Sequence, residues 1–193
     1  MTDIQFNEAE HIYTVNQKRV LSVTQYLELS GSVDTQWFKE EHCLRGSAVH
    51  KAIQYHLQGD LDDETLHPIV RPYVDAGREF IEKVGFRPTS IEKIVYDHIY
   101  GFIGTLDMLG TWDLCEGNIL IDWKSGAFLP CVALQTAAYE SCLPEKYRRF
   151  AVKLGKDGKY TLSDEFKDRN DIKIFRSKVA SVNWNIKNGT LNI

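Results

Sequence analysis

The stretch from Tyr100 to Lys124, Y-G-F-I-G-T-L-D-M-L-G-T-W-D-L-C-E-G-N-I-L-I-D-W-K, sets Asp107, Asp122 and Lys124 into segments that otherwise read as core. One strand is predicted through Phe102, Ile103, Leu106, Met108 and Leu109, and a second at Ile119-Leu120-Ile121, which delivers Asp122 and Lys124 at its end. On a strand rising roughly 3.3 Å per residue, positions two apart share a face, so Asp122 and Lys124 point the same way about 6 to 7 Å apart. Trp123 points to the other side. A buried carboxylate is costly unless it is paired or holds a metal. A structural ion pair would answer for any one Asp and one Lys. Two acids converging on one point repel unless a cation neutralises them, and hard divalent ions such as Mg²⁺ take carboxylate oxygens. A lysine beside them can orient an activated water and offset charge developing on a phosphoryl group.

Two further motifs flank this stretch: R-G-S-A-V-H at 45–50 and Q-T-A-A-Y at 135–139. Taken alone, His50 would read as a core histidine on a helix. Gln135 and Tyr139, four apart, share one face of a helix about 6 Å apart along its axis. In order along the chain, a helical histidine, G-T-L-D, I-D-W-K-S-G and Q-T-A-A-Y resemble the signatures of the PD-(D/E)XK nucleases. The likeness is to the branch that contains the RecB nuclease domain and many phage exonucleases. That resemblance implies an α/β, mixed α+β, restriction-endonuclease-like core: a central mixed β-sheet flanked by helices. It implies a catalytic set of Asp107, Asp122 and Lys124. It further implies Mg²⁺ or Mn²⁺ held by His50, Asp107, Asp122 and the Trp123 main-chain carbonyl, with Gln135, Tyr139, Arg45 and Ser47 toward substrate. Relatives often place a glutamate near position 92 at the edge of the site. Here Glu92 precedes Lys93, which favours a solvent-facing ion pair, and Glu92 is left out of the metal shell.

At 193 residues and 43 % hydrophobic, the chain is long enough for one domain with its own core and too short for two, so a single domain is expected. The start of the sequence lacks the basic and apolar regions of a signal peptide, and no run approaches the roughly 18 apolar residues of a membrane span. A soluble, cytoplasmic protein is expected, in a bacterial host if the gene belongs to a phage. Cys43, Cys115, Cys131 and Cys142 form no C-x-x-C pair, so reduced thiols are expected. Some relatives in the resembled branch, CRISPR adaptation nucleases among them, ligate an iron-sulfur cluster through one upstream and three closely spaced downstream cysteines. Nothing follows Cys142, and no such cluster is expected. The net charge of −4 argues against indiscriminate coating of nucleic acid. It divides unevenly: from residue 145 onward there are 12 Lys or Arg against 6 Asp or Glu, leaving −10 on residues 1–144. Arg148, Arg149, Lys153, Lys156 and Lys159 fall on one predicted hairpin, a candidate path for DNA backbone or an ordinary solvated face.

Along the chain, residues 1–33 read as an N-terminal hairpin about the turn Asn7 to Glu10, then a short helix from Val23 to Leu29 capped by Ser22. A core of residues 34–162 follows. It comprises a helix from Thr35, capped by Asp34, to Leu57, and a second from Asp63 to Val84 disturbed by Pro68 and Pro72. An extended segment from Phe86 to His98, the two central strands, a helix from Pro130 to Cys142 and a hairpin about Lys156-Asp157-Gly158 complete it. Residues 163–193 read as a last helix capped by Ser163 or Asp164. The expected activity is metal-dependent DNA hydrolysis by a phage-type exonuclease acting in recombination, repair or processing. DNA is the expected partner, together with a recombination or single-strand-binding protein. The alternatives are a structure-specific endonuclease and a binding module on a nuclease fold.

Overall fold

The computed structural model describes residues 2–7, 10–33 and 40–191. A three-stranded antiparallel sheet, β1 (Ile4–Asn7), β2 (Ile12–Val15) and β3 (Lys18–Val20), opens the chain in the order β1-β2-β3. The third strand lies beyond the hairpin read from sequence. It is made by a tight reversal at Asn16 and Gln17, both at positive φ (50° and 66°), a conformation that asparagine tolerates better than most residues. Helix α1 (Val23–Leu29) starts at Ser22 as predicted, through a reciprocal capping box: the Ser22 hydroxyl accepts from Gln25 N–H and the Gln25 side chain accepts from Ser22 N–H.

Helix α2 (Glu40–Gln58) buries only its second half, where Val49, Ala52 and Ile53 meet Tyr73, Val74 and Phe80 of α3 (Arg71–Val84). His42 and Cys43, in its first half, are exposed. The predicted start at Asp34 and Thr35, with Trp37 and Phe38, lies outside the described residues. Helix α3 begins at Arg71 rather than at Asp63, where there is only a 3-10 turn, Asp63–Thr65. The cause is Pro72: in the first turn it forfeits no intrahelical bond, whereas deeper in a helix it would. Gly85 ends the helix in the left-handed conformation at φ 59°.

The main sheet has five strands in the order β4-β5-β6-β7-β8. These are β4 (Arg87–Asp97), β5 (Phe102–Thr111), β6 (Ile119–Lys124), β7 (Arg148–Leu154) and β8 (Tyr160–Leu162). All neighbours are antiparallel except β6 and β7, which run parallel and are bridged by the crossover helix α4 (Cys131–Ser141). The sheet is therefore mixed, with helices on both faces. On one side Ile119, Ile121, Trp123 and Val152 pack under α2 and α3 around Phe80. On the other, Leu106, Leu109 and Leu120 pack under α1, α4 and α5 (Asp171–Lys187), with Phe175 and Val179. Burying one such side chain contributes about 1.5–3 kcal/mol, so the two layers fix the sheet between them.

Helix α5 starts at Asp171, later than Ser163 or Asp164. Residues 163–170 instead run beside β7, where Ser163 N–H donates to Ala151 O and Phe166 N–H to Arg149 O, while the Arg149 guanidinium donates to the carbonyls of Phe166 and Asp168. These bonds outcompete the local capping signal. No helix among the described residues is long and apolar enough to cross a membrane.

Candidate active site

Strand β5 carries Asp107 into the middle of the sheet, 7 % exposed. Its ladder with β6 stops at Met108↔Ile121, and just past that point the Asp107 Oδ2 accepts the Trp123 N–H at 2.6 Å, taking a donor that a continued ladder would have used. His50, half-buried beside Val49 on α2, brings Nδ1 to 3.3 Å from the other Asp107 oxygen. Glu92 completes the group: ligand atoms of His50, Glu92 and Asp107 all lie within 4.8 Å of one another. The reading of Glu92 as a solvent-facing partner of Lys93 is therefore corrected. The pairs Ile91↔Met108 and Lys93↔Leu106 put Glu92 across from Asp107, and its backbone adopts a positive φ of 48°, unusual for a non-glycine residue.

Asp122 and Lys124 lie beside this group on β6. Asp122 is 1 % exposed, and Lys124 Nζ lies 2.6 Å from its Oδ2. The contact is an ion pair without the angles of a hydrogen bond, so Oδ2 remains a buried acceptor with no hydrogen-bond partner among the described residues. Asp122 is not one of the three groups clustered within 4.8 Å. Lys124 Nζ also donates to Gln135 Oε1 at 3.1 Å, and Gln135 Nε2 donates to the Tyr139 hydroxyl at 3.1 Å. Helix α4 thus holds the lysine through two of its own side chains. A Cβ on Gly104 would come within 2.7 Å of the Tyr139 ring, so the glycine of G-T-L-D is the space that the tyrosine of Q-T-A-A-Y fills.

The electrostatics are those of an acid-rich, dehydrated site. Burial raises Glu92, and the Asp107 charge raises it further, to about 7. Burial likewise lifts Asp122 to about 6, with Lys124 pulling it down and Asp107 pushing it up. For His50, burial disfavours the imidazolium, but the charge and hydrogen bond of Asp107 outweigh it and hold the group at about 9. Asp107 is the one acid held below its ordinary value: burial opposes this, and His50, Lys124 and the Trp123 N–H overcome it. Lys124 is raised despite burial, by Asp122 and Asp107.

Of the remaining predicted residues, Arg45 stacks over the Tyr73 ring at 5.2 Å and reaches the Ser125 carbonyl at 3.4 Å. Ser47 is exposed, one turn before His50. Trp123 contributes its N–H to Asp107, while its indole meets Phe80 edge-on at 5.4 Å. Tyr13, read from sequence only as part of a structural hairpin, bonds Thr105 at 2.8 Å and feels the charges of Glu92 and Asp107. No local pattern marks it, because the contact spans 92 residues. Arg149 is corrected from a candidate DNA contact to a buried residue, 5 % exposed and bonded to Asp171 Oδ2 at 2.9 Å. Arg148 is paired with Glu165.

No family model matches this sequence, and no curated protein matches it. Solved structures do match in fold. One is the crystal structure of a "Putative exonuclease" from Eubacterium rectale, 11 % identical, with a TM-score of 0.53 over 90 % of this chain and 83 % of that one. At that identity the likeness is one of fold, which in this chain is a five-stranded mixed sheet flanked by helices.

Proposed function

We propose that this protein is a divalent-metal-dependent deoxyribonuclease of the PD-(D/E)XK type, hydrolysing phosphodiester bonds as an exonuclease in phage-type DNA recombination, repair or processing. The observation that carries the reading is the convergence of His50, Glu92 and Asp107 within 4.8 Å, beside a buried Asp122–Lys124 pair. The donor set fits a metal: carboxylates suit Mg²⁺, and an imidazole makes Mn²⁺ more acceptable than an all-oxygen site would. Asp122, buried and paired with Lys124 through Oδ2, is a further carboxylate beside this group. When bound, the ion would lower the pKa of water and offset charge building on phosphate and leaving oxygen.

The chain's own residues supply the rest. Lys124, tethered by Asp122 and Gln135, has a third ammonium hydrogen free to orient the attacking water for in-line displacement. Gln135, backed by the buried Tyr139 hydroxyl, locks the lysine in place and is the residue of this pair that can meet the substrate strand. Arg45 lies at the end of β6, where a phosphate flanking the scissile bond would pass. DNA is the substrate, and a recombination or single-strand-binding protein is the natural working partner.

The test is incubation of linear DNA, duplex and single-stranded, with the purified protein in Mg²⁺, Mn²⁺ or EDTA. Nucleotide release from ends in either metal and none in EDTA is expected. Absence of cleavage in every metal, or equal cleavage by Asp107→Ala, would sink the assignment.

A further inference from the structure

Next to Lys124 the surface opens into a cleft of about 610 Å³ between α1, the exposed start of α2 and the loop from β6 into α4. Its floor is set by His50, Lys124 and Gln135, so it shares a wall with the candidate active site. Leu27, Val33, Leu129 and Val132 line it with aliphatic surface. The volume falls within the roughly 300–1,000 Å³ of clefts that enclose one small ligand, and a lining of apolar walls with a few placed polar groups is the usual make-up of such a cleft.

The charges limit what can enter. Among the described residues, Arg45 and Lys124 are the only Lys or Arg in the cleft wall, and Glu28 also lines it. Every lining residue comes from the first 144 residues, the part of the chain that carries −10. A duplex brings one phosphate per roughly 1.7 Å of axis and needs a row of cations along two backbones. This cleft offers Arg45 and Lys124, with His50 at its floor, and aliphatic surface in place of such a row, which matches one nucleoside and one or two phosphates. Arg45 is placed without being used up: it has one long bond to the Ser125 carbonyl, and its Nε has no hydrogen-bond partner among the described residues.

Resting on the nuclease reading above, the geometry points to this cleft as the pocket for the terminal nucleoside of a single-stranded DNA end, with its base against Val33 and Leu129 and its phosphate between Arg45 and Lys124. The enzyme would then engage frayed or single-stranded termini and not the body of a duplex. Ala127 and Thr24, exposed on opposite walls, are the places to block it without touching the core.

The measurement is fluorescence anisotropy in Ca²⁺ with a labelled twelve-nucleotide single strand and a blunt duplex of the same length, for wild type, Ala127→Trp and Thr24→Trp, with thermal melts of each. Wild type should bind the single strand about tenfold or more tighter than the duplex. Each tryptophan should cut single-strand affinity by about tenfold, the scale of losing one base contact, with an unchanged melt. Ala127→Ser should bind like wild type. Equal or tighter duplex binding, or tryptophan variants that bind like wild type, overturns the pocket assignment. If Mn²⁺-dependent cleavage persists in that case, the nuclease reading stands without it. Failure to bind either DNA, with no metal-dependent cleavage, overturns both.

Discussion

Two groups of charge are buried against helix α4, and they are built on opposite principles. Around Arg149 every charge is answered: the guanidinium donates to the carbonyls of Ala133, Phe166 and Asp168 and to the Asp171 carboxylate, with Glu140 at 3.9 Å. Around Asp107 the charges are crowded. Glu92, Asp107 and Asp122 face Lys124 and His50, with Lys51 also pulling on Glu92, yet burial and the acids' repulsion still lift Glu92 and Asp122, and the Asp107 charge lifts His50. A satisfied buried network specifies structure. A buried site where burial and like charge hold carboxyls above their ordinary range is one where a cation can take the place of a proton. The contrast separates an anchor from a site more sharply than burial does, since both groups are nearly dry.

The largest difference should appear on removing one charge from each. Asp107→Ala, Asp122→Ala and Lys124→Ala should each lower cleavage by about two to four orders of magnitude. Asp122→Ala should keep its stability, because an acid lost from a repelling cluster leaves less strain, whereas Asp107→Ala and Lys124→Ala give up paired contacts and should melt lower while still folding. Arg149→Met should act in reverse. It strands Asp171, and breaking a buried pair costs about 3–5 kcal/mol, read from denaturant midpoints. A stable Arg149→Met beside an unfolded Asp107→Ala would invert the comparison.

Metal demand comes next. His50→Ala and Glu92→Gln should each raise the Mn²⁺ concentration for half-maximal activity by about tenfold or more, the scale of losing one contact of about 1.4 kcal/mol or more. A His50→Ala protein that melts early yet keeps the wild-type metal dependence would return the histidine to a structural role. Glu92→Gln isolates the residue that sequence reading left aside.

A smaller effect follows from the protons. His50 titrates near 9 in the folded protein against about 6.5 unfolded, so the folded state holds an extra proton between those values and stability falls as pH rises through them. Glu92, raised to about 7, acts in the same direction at lower pH. Asp107, held low, acts oppositely and only in acid. The metal-free protein should therefore lose several degrees of Tm between pH 6 and pH 9. Mn²⁺ should raise Tm more at pH 8 than at pH 6, because fewer protons remain to displace. A metal-free melt that is flat over this range would remove the electrostatic half of the comparison.

Much of the site was legible because its parts repeat short spacings that strands and helices turn into geometry. Asp122 and Lys124 meet because they are two apart on a strand, and Gln135 and Tyr139 because they are four apart on a helix. Even the link between distant motifs had a trace, in a glycine at 104 that leaves room for the Tyr139 ring. Glu92 was not legible. Its side chain is turned by a positive φ in a strand whose register has already slipped between Pro88 and Ser90, and alternation cannot be counted through such a slip. Arg149 misled for a different reason: a charge count treats a buried guanidinium and an exposed one alike. The late start of α5 has the same source, because the bonds of Arg149 that hold residues 163–170 extended are long-range and leave no local mark.

With Arg148 and Arg149 engaged internally, the basic edge reduces to Lys153, Lys156 and Lys159, all exposed. They are not equivalent. In the parallel register of β6 and β7, Lys153 sits beside Lys124, so it faces the same side of the sheet one strand away, about 4.8 Å at the backbone. Lys156 and Lys159 lie at the far reversal into β8. A phosphate held at Lys124 would have its neighbour along the strand within reach of Lys153 and beyond reach of the hairpin tip. On single-stranded DNA each phosphate contact contributes about −0.7 to the slope of log affinity against log salt. Lys153→Ala should flatten that slope by about 0.7 in Ca²⁺, whereas the Lys156→Ala/Lys159→Ala double variant should run parallel to wild type. If the double variant flattens the slope and Lys153→Ala does not, the backbone leaves the site over the hairpin tip, and the edge lysines belong with the site and not with the solvated surface.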